Sequence, residues 1–239
     1  MSELEKILSE VAAKEQINIS PEQLTQFNRY YELLIEWNEK INLTAITEVH
    51  DVVVKHFLDS LLAAKMIDSF AGKTLIDIGT GAGFPGVPLK IMEKDLNVTL
   101  FDSLQKRLKF LDLLIQELGL EKIKTIHGRA EDGGQNKDLR EKFDLATARA
   151  VAKMPVLLEY ALPFVKVGGY FLALKGPELD EELKDSAKAL KVLGGEVAEI
   201  GRFSLAGDYT RNIALIKKVA STPKAYPRKA GNVQKKPLI

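Results

Sequence analysis

The strongest chemical signal in this chain is the run Leu75-Ile76-Asp77-Ile78-Gly79-Thr80-Gly81-Ala82-Gly83-Phe84-Pro85-Gly86. A hydrophobic stretch ends in glycines and a helical pattern follows. Glycine is needed where a backbone turns sharply, and where a ligand must lie against it without a Cβ between them. Asp102 stands at the end of the next β-prone stretch. A carboxylate there can accept hydrogen bonds from both hydroxyls of a ribose. Two readings share these residues. Gly81-x-Gly83-x-x-Gly86 with Asp102 fits a dinucleotide fingerprint. Asp77-x-Gly79-x-Gly81-x-Gly83 fits the turn that holds S-adenosylmethionine, with Asp77 anchoring its cationic amino-acid end. The plain alternative is a strand–helix connection whose glycines only serve packing. Gly72-Lys73-Thr74 resembles the end of a phosphate loop, but it precedes a strand and position 67 is Ile67.

Elements that position this turn follow from the hydrophobic pattern. Residues 1–70 read as helical. Ser20-Pro21-Glu22-Gln23 is a helix start, and Leu24, Phe27, Tyr31 and Leu34 mark an apolar face. A second helical stretch covers about Val52–Ile67. After Gly72, short β-prone runs alternate with helical ones, which predicts βαβ units. Strands are expected at Thr74–Gly79, Asn97–Asp102, Ile123–His127, Phe143–Ala148, Gly169–Lys175, Glu196–Phe203 and Arg211–Lys218. Helices are expected over Leu104–Leu118, from Pro155, and over about Glu178–Leu193. Only Ser204–Thr210, containing Gly207 and Asp208, separates the last two strands. A parallel crossover needs about a dozen residues, so this pair must be antiparallel. A parallel sheet ending in a reversed strand belongs to the methyltransferase topology, and that favours S-adenosylmethionine over a dinucleotide. The expected fold is α/β: a doubly wound, seven-stranded, Rossmann-like sheet of the S-adenosylmethionine-dependent methyltransferase kind, with a terminal antiparallel hairpin and an N-terminal helical extension.

Charge is distributed unevenly. The total is +1, from 34 basic and 33 acidic residues. Residues 1–70 carry 6 basic and 12 acidic side chains, and residues 217–239 carry 7 basic and no acidic ones. Three parts are therefore expected: a helical extension (1–70), a methyltransferase domain (71–219) and a basic, irregular tail (220–239). The absence of cysteine excludes disulfides and thiolate chemistry. His50, His56 and His127 lack the spacing of a metal site, so no metal is expected. No leader or spanning segment is visible, and a cytoplasmic monomer is the expectation.

The chain resembles the bacterial small-subunit rRNA methyltransferase G family, also called glucose-inhibited division protein B. The resemblance rests on Trp37-Asn38, Ile41-Asn42-Leu43-Thr44, His56-Phe57-Leu58-Asp59-Ser60, residues 77–88, Gly128-Arg129-Ala130-Glu131, Ala148-Arg149-Ala150 and Tyr226-Pro227-Arg228-Lys229. It implies methyl transfer from S-adenosylmethionine to N7 of a guanine in the decoding-region loop of 16S rRNA. The partner is then 16S rRNA or the small ribosomal subunit. It also implies cofactor contacts at Gly79, Phe84, Ala130, Glu131 and Arg149. Asp102 stands where such enzymes commonly carry glutamate.

Guanine N7 has an in-plane lone pair and no proton, so no general base is needed and none is apparent. Arg149, just past the fourth strand, is expected to position the target nucleotide or touch the cofactor. Its alternative is a surface pair with Glu131 or Asp144. Phe84 covers the cofactor or packs in the core. Asn42, His56 and Asp59 are expected to be mostly structural, with Asn42 capping a turn. Lys224, Tyr226, Arg228, Lys229, Lys235 and Lys236 in the tail are expected to contact RNA, the lysines and Arg228 on phosphates and Tyr226 stacked on a base. A methyltransferase with another acceptor, or a noncatalytic RNA-binding assembly factor, is the alternative function.

Overall fold

A computed structural model describes residues 1–205 and 209–239. Seven strands form one sheet: β1 Thr74–Ile78, β2 Asn97–Asp102, β3 Ile123–His127, β4 Phe143–Arg149, β5 Val165–Lys175, β6 Gly195–Ser204 and β7 Thr210–Lys218. Their spatial order is β3-β2-β1-β4-β5-β7-β6. Strands β1 to β5 pair in parallel, and β7 runs antiparallel to both β5 and β6. This is the reversed last strand that the short connection requires. Of that connection, Ala206, Gly207 and Asp208 lie outside the described residues. Order reverses at β1 and β4, so their carboxyl ends open a crevice.

The N-terminal helices are built from local signals. Ser2 and Glu5 form a capping box on helix Glu3–Lys14, and Ser20 and Gln23 form one on helix Pro21–Ile41. Asn42 ends the second helix in the left-handed conformation, at φ 48°. Its apolar face differs from the expected one in one residue. Tyr30 is fully buried and Tyr31 only partly. The Tyr30 hydroxyl donates to the Ala82 carbonyl at 2.6 Å, which gives its polar end a partner inside the core. Residues 49–66 are continuously helical, with a π-helical turn at Val53–Leu58 and a 3₁₀ end at Leu62–Met66. Leu8, Phe27, Phe57 and Leu61 from these helices share one core with Leu75, Leu100 and Leu145 of the sheet.

Helices Met154–Ala161 and Ala187–Leu193 cover the opposite face. The single helix expected over 178–193 is broken into Leu179–Lys184 and Ala187–Leu193. The Ser186 hydroxyl donates to the Glu182 carbonyl at 2.6 Å, the local competition that makes serine a poor helix interior. Strand β5 starts four residues before the expected Gly169, because Val165 already pairs with Phe143 across a bulge. Leu104 is exposed, outside the stripe expected of it, because helix Gln105–Glu117 begins only after it.

Candidate active site

Each glycine of the turn has its own reason. Gly79, Gly81 and Gly83 have φ of 66°, 61° and 104°, which other residues rarely adopt. A Cβ on Gly83 would stand 2.7 Å from the Tyr30 hydroxyl, and one on Gly86 would stand 2.9 Å from Oδ2 of Asp77. Gly83 lets the flanking helices pack on the turn, and Gly86 lets its own helix, Gly86–Met92, pack on β1 and β2. Gly81 has nothing nearer than 3.9 Å to such a Cβ, and its N–H donates to Oδ2 of Asp102 at 2.9 Å.

Asp77 departs from its expected part. It is fully buried, and its Oδ2 accepts from the Thr80 hydroxyl at 2.6 Å and the Gly86 N–H at 2.9 Å. Its Oδ1 accepts from the Thr147 hydroxyl at 3.2 Å. The carboxyl braces the turn from beneath and shows no surface to a ligand's ammonium group. Burial pushes its pKa up to about 6 against these hydrogen bonds.

A cleft of about 260 Å³ opens beside the turn, lined by Gly79, Asp102, Ser103, Ala130, Glu131 and Val151. Asp102 Oδ1 accepts from the Leu104 N–H at 2.8 Å, and Oδ2 accepts from Gly81 with Arg107 at 3.4 Å. These bonds fix its orientation at the end of β2. Each oxygen has more than one acceptor site, so the carboxylate fits a ribose diol. Glu131 is buried in the cleft wall rather than solvated as a loop carboxylate usually is. Tyr160 lines the same cleft, and its pKa is pushed up to about 12 by burial and by the nearby Glu131 charge. The carboxylate, the Gly79 backbone and the nucleoside-sized cleft fit an adenosyl group.

Arg149 lies elsewhere. It lines a second cleft of about 350 Å³ with Lys55, His56, Lys175, Tyr209 and Arg211, at the carboxyl ends of β4 and β5. Its partner is neither Glu131 nor Asp144. Nη1 donates to Oδ2 of Asp59 at 2.8 Å and to the Lys55 carbonyl at 3.0 Å. Arg211 Nε donates to the other oxygen of Asp59, and its Nη2 donates to the Tyr209 hydroxyl at 2.7 Å. Asp59 thus ties the helical arm to β4 and β7 at once. Two guanidinium groups face one carboxylate, a local excess of one positive charge, while Glu178 and Glu182 also line the cleft and Glu182 pairs with Lys175 at 2.7 Å. His56 adds no positive charge: burial and the Arg149 charge push its pKa down to about 3.

Phe84 does not cover a cleft mouth. It is buried, with its ring 4.6 Å from that of His56 and 5.2 Å from that of Tyr30. The Arg149 guanidinium lies 4.9 Å above it. Ala150 follows Arg149 at φ 56°, a strained value for a residue with a side chain. Val151 lies within reach of both Gly79 and the first cleft. Consecutive residues thus line the two clefts, Arg149 and Ala150 the second and Val151 the first.

The tail is irregular apart from the short helix Asn232–Lys235, but it is docked on the domain rather than free. Arg140 donates to the carbonyls of Tyr226 and Thr222 at 2.7 Å each and to that of Pro223 at 3.2 Å. Arg228 is committed to the buried Glu159, with Nη2 at 2.6 Å and Nε at 2.9 Å. That pairing removes it from the expected RNA contacts. Tyr226 is partly buried against the core and is not a free stacking platform. Lys224, Lys229, Lys235 and Lys236 are exposed. A short helix, Asn232–Lys235, brings Gly231 and Gln234 to the first cleft. Arg211, Tyr160, Gly231 and Gln234 were not singled out by the sequence. Arg211 alone carried a signal, as a charge at the head of an apolar strand.

The model of the rRNA small subunit methyltransferase G family matches residues 23–213. Ribosomal RNA small subunit methyltransferase G of Clostridium botulinum is 53% identical over 223 residues, 93% of either chain. The protein of that name from Desulforamulus reducens is 49% identical over 239 residues, the whole of both chains. Among solved structures, precorrin-6y C5,15-methyltransferase from Geobacter metallireducens superposes with a TM-score of 0.53 at 13% identity, covering 74% of this chain and 91% of that one. M. jannaschii TYW2 in complex with AdoMet gives a TM-score of 0.52 at 15% identity, over 67% and 77% of the two chains. At such identity the structures speak for the methyltransferase fold alone. The family match and the full-length relatives carry the assignment: this chain belongs to the rRNA small subunit methyltransferase G family.

Proposed function

We propose that this protein transfers a methyl group from S-adenosylmethionine to N7 of a guanine in the decoding-region loop of 16S rRNA. The observation that supports it most is the adjacency of the two clefts. Residues 149–151 line both a nucleoside-sized cleft with a diol-binding carboxylate and a cleft in which two guanidinium groups share one carboxylate. When bound, S-adenosylmethionine supplies an electrophilic methyl group on a sulfonium.

The chain's own residues do the rest. Asp102 holds the ribose hydroxyls, and Gly79 and Gly81 let the ligand lie against the turn. Ala130 and Glu131 flank the base. Arg149 and Arg211, locked by Asp59, present cationic edges to the phosphate of the target nucleotide. That places the guanine rather than taking a proton from it. His56, held neutral in its buried site, is not called on as a base. Catalysis is alignment of N7, methyl and sulfur with water kept out. Lys224, Lys229, Lys235 and Lys236 contribute sequence-independent attraction to RNA. The cytoplasm and a monomeric state complete the proposal. Among the described residues, no helix is long and apolar enough to cross a membrane.

The test is incubation with labelled cofactor and three acceptors: unmethylated small subunits, naked 16S rRNA and bulk protein. Label is expected in the RNA of at least one of the first two, at a rate flat between pH 7 and 9. Label in protein alone, or in none, would overturn the proposal.

A further inference from the structure

We propose that the C-terminal tail is a wall of the cofactor cleft and that Gln234 reads the adenine edge. This rests on the cofactor reading above. Gly231 and Gln234 line the same cleft as Asp102 and Glu131. The Tyr160 ring and Glu131 line this cleft with Gln234, so the tail residue shares one wall with the residue that flanks the base. With the ribose at Asp102, the base lies toward Ala130 and Glu131, and so toward the amide of Gln234. A carboxamide offers both a donor and an acceptor, the pair that the Hoogsteen edge of adenine complements. Hypoxanthine, with a carbonyl in place of the amino group, breaks that match.

The wall is fixed rather than incidental. Val233, beside Gln234, is fully buried against Val156 and Tyr160. Upstream, Gln135 Nε2 donates to the carbonyls of Lys224 and Pro227 at 3.1 and 2.9 Å, and Arg228 is paired with the buried Glu159. A segment held at both ends places Gln234 with little ordering left to do on binding, which is how a preorganised contact contributes affinity.

Calorimetry of the full chain with S-adenosylhomocysteine, and with its analogue carrying hypoxanthine for adenine, tests this. The unaltered chain should bind the adenine compound more tightly. Gln234→Ala should weaken the adenine compound about tenfold, the order expected for losing one or two hydrogen bonds. The same change should leave the hypoxanthine compound nearly unaffected, so that discrimination collapses. Gln234 is exposed, so the variant's melting temperature should match the parent's. Equal weakening of both compounds, or no weakening, overturns the assignment while the cofactor reading stands. Failure of the unaltered chain to bind S-adenosylhomocysteine overturns both.

Discussion

The two ends of the chain reach the catalytic edge by different physics. The acidic N-terminal arm is part of the core: Leu8, Phe27, Tyr30 and Phe57 are buried with the strands of the sheet. The basic tail is held mainly by polar clamps, Arg140 on its carbonyls and Glu159 on Arg228. Each end shapes one cleft. The arm supplies Lys55 and His56 to the cationic cleft, with Asp59 buried behind its arginines, and the tail supplies Gly231 and Gln234 to the other. An element fixed by apolar burial fails only with the whole domain. One fixed by a few buried ion pairs can fail alone. The contrast shows that sign of charge does not tell which end approaches anionic RNA: the acidic arm holds the cations in place.

The comparison breaks most visibly at Asp59. Asp59→Ala leaves two guanidinium groups buried with no counter-charge, which should cost about 3–5 kcal/mol. Urea unfolding should show the loss as a single transition, because arm and sheet share one core. The matching change in the tail is Arg228→Ala, which strands the Glu159 carboxylate. The loss should be about 3 kcal/mol at most, because the tail can undock and admit water. Limited proteolysis should then cut near residues 224–230, while the melting temperature of the domain shifts by only a few degrees.

The pH response sharpens the arm's side. The His56 imidazole titrates near 6.5 when free and about 3 in the fold. Between these values only the unfolded chain takes the proton. The stability His56 contributes is therefore complete above pH 6.5 and is lost as the pH falls. Asp77 acts oppositely: with its pKa raised from 3.8 to about 6, stability falls as pH rises through that window. A His56→Gln variant removes the first effect and keeps the second. From pH 7.5 to 4.5 the parent should lose about 2–3 kcal/mol more unfolding free energy than the variant.

The smallest effects belong to the tail's free lysines. Seven bound phosphates on a single strand would give a log-affinity against log-salt slope of about −5. Lys218 is buried against Glu141 and Arg228 is paired, which leaves Lys217, Lys224, Lys229, Lys235 and Lys236 exposed. The tail's share of the slope should be about −3.5, and each Lys→Ala change should reduce it by about 0.7. A tail share of about −5 in the parent would show the clamps opening on RNA.

What the sequence revealed and hid follows from where the deciding contacts lie. Strands Asn97–Asp102 and Ile123–His127 were legible because short apolar runs with sharp ends carry their own signal. The reversed β7 was legible from connection length alone. Ser20 and Gln23 announced a helix because a capping box is local. Asp59 with Arg149 joins residues ninety apart, and Arg228 with Glu159 joins residues sixty-nine apart. No local pattern encodes such pairs. Hence the alternative partners offered for Arg149, Glu131 and Asp144, were the wrong ones, and the docking of a proline- and lysine-rich tail was not read. Asp77 misled for a related reason. Its spacing from the glycines is the same whether it faces a ligand or the turn, and only its three donors decide.

One measurement bears most directly on the proposed reaction. Unmethylated small subunits are incubated with the protein and labelled S-adenosylmethionine, and the modified nucleotide is mapped by borohydride and aniline cleavage, which cuts RNA at N7-methylguanine. The expected result is a single cut at one guanine of the decoding-region loop, absent without protein. Label without that cut, or cuts at another site, would contradict the assignment of guanine N7.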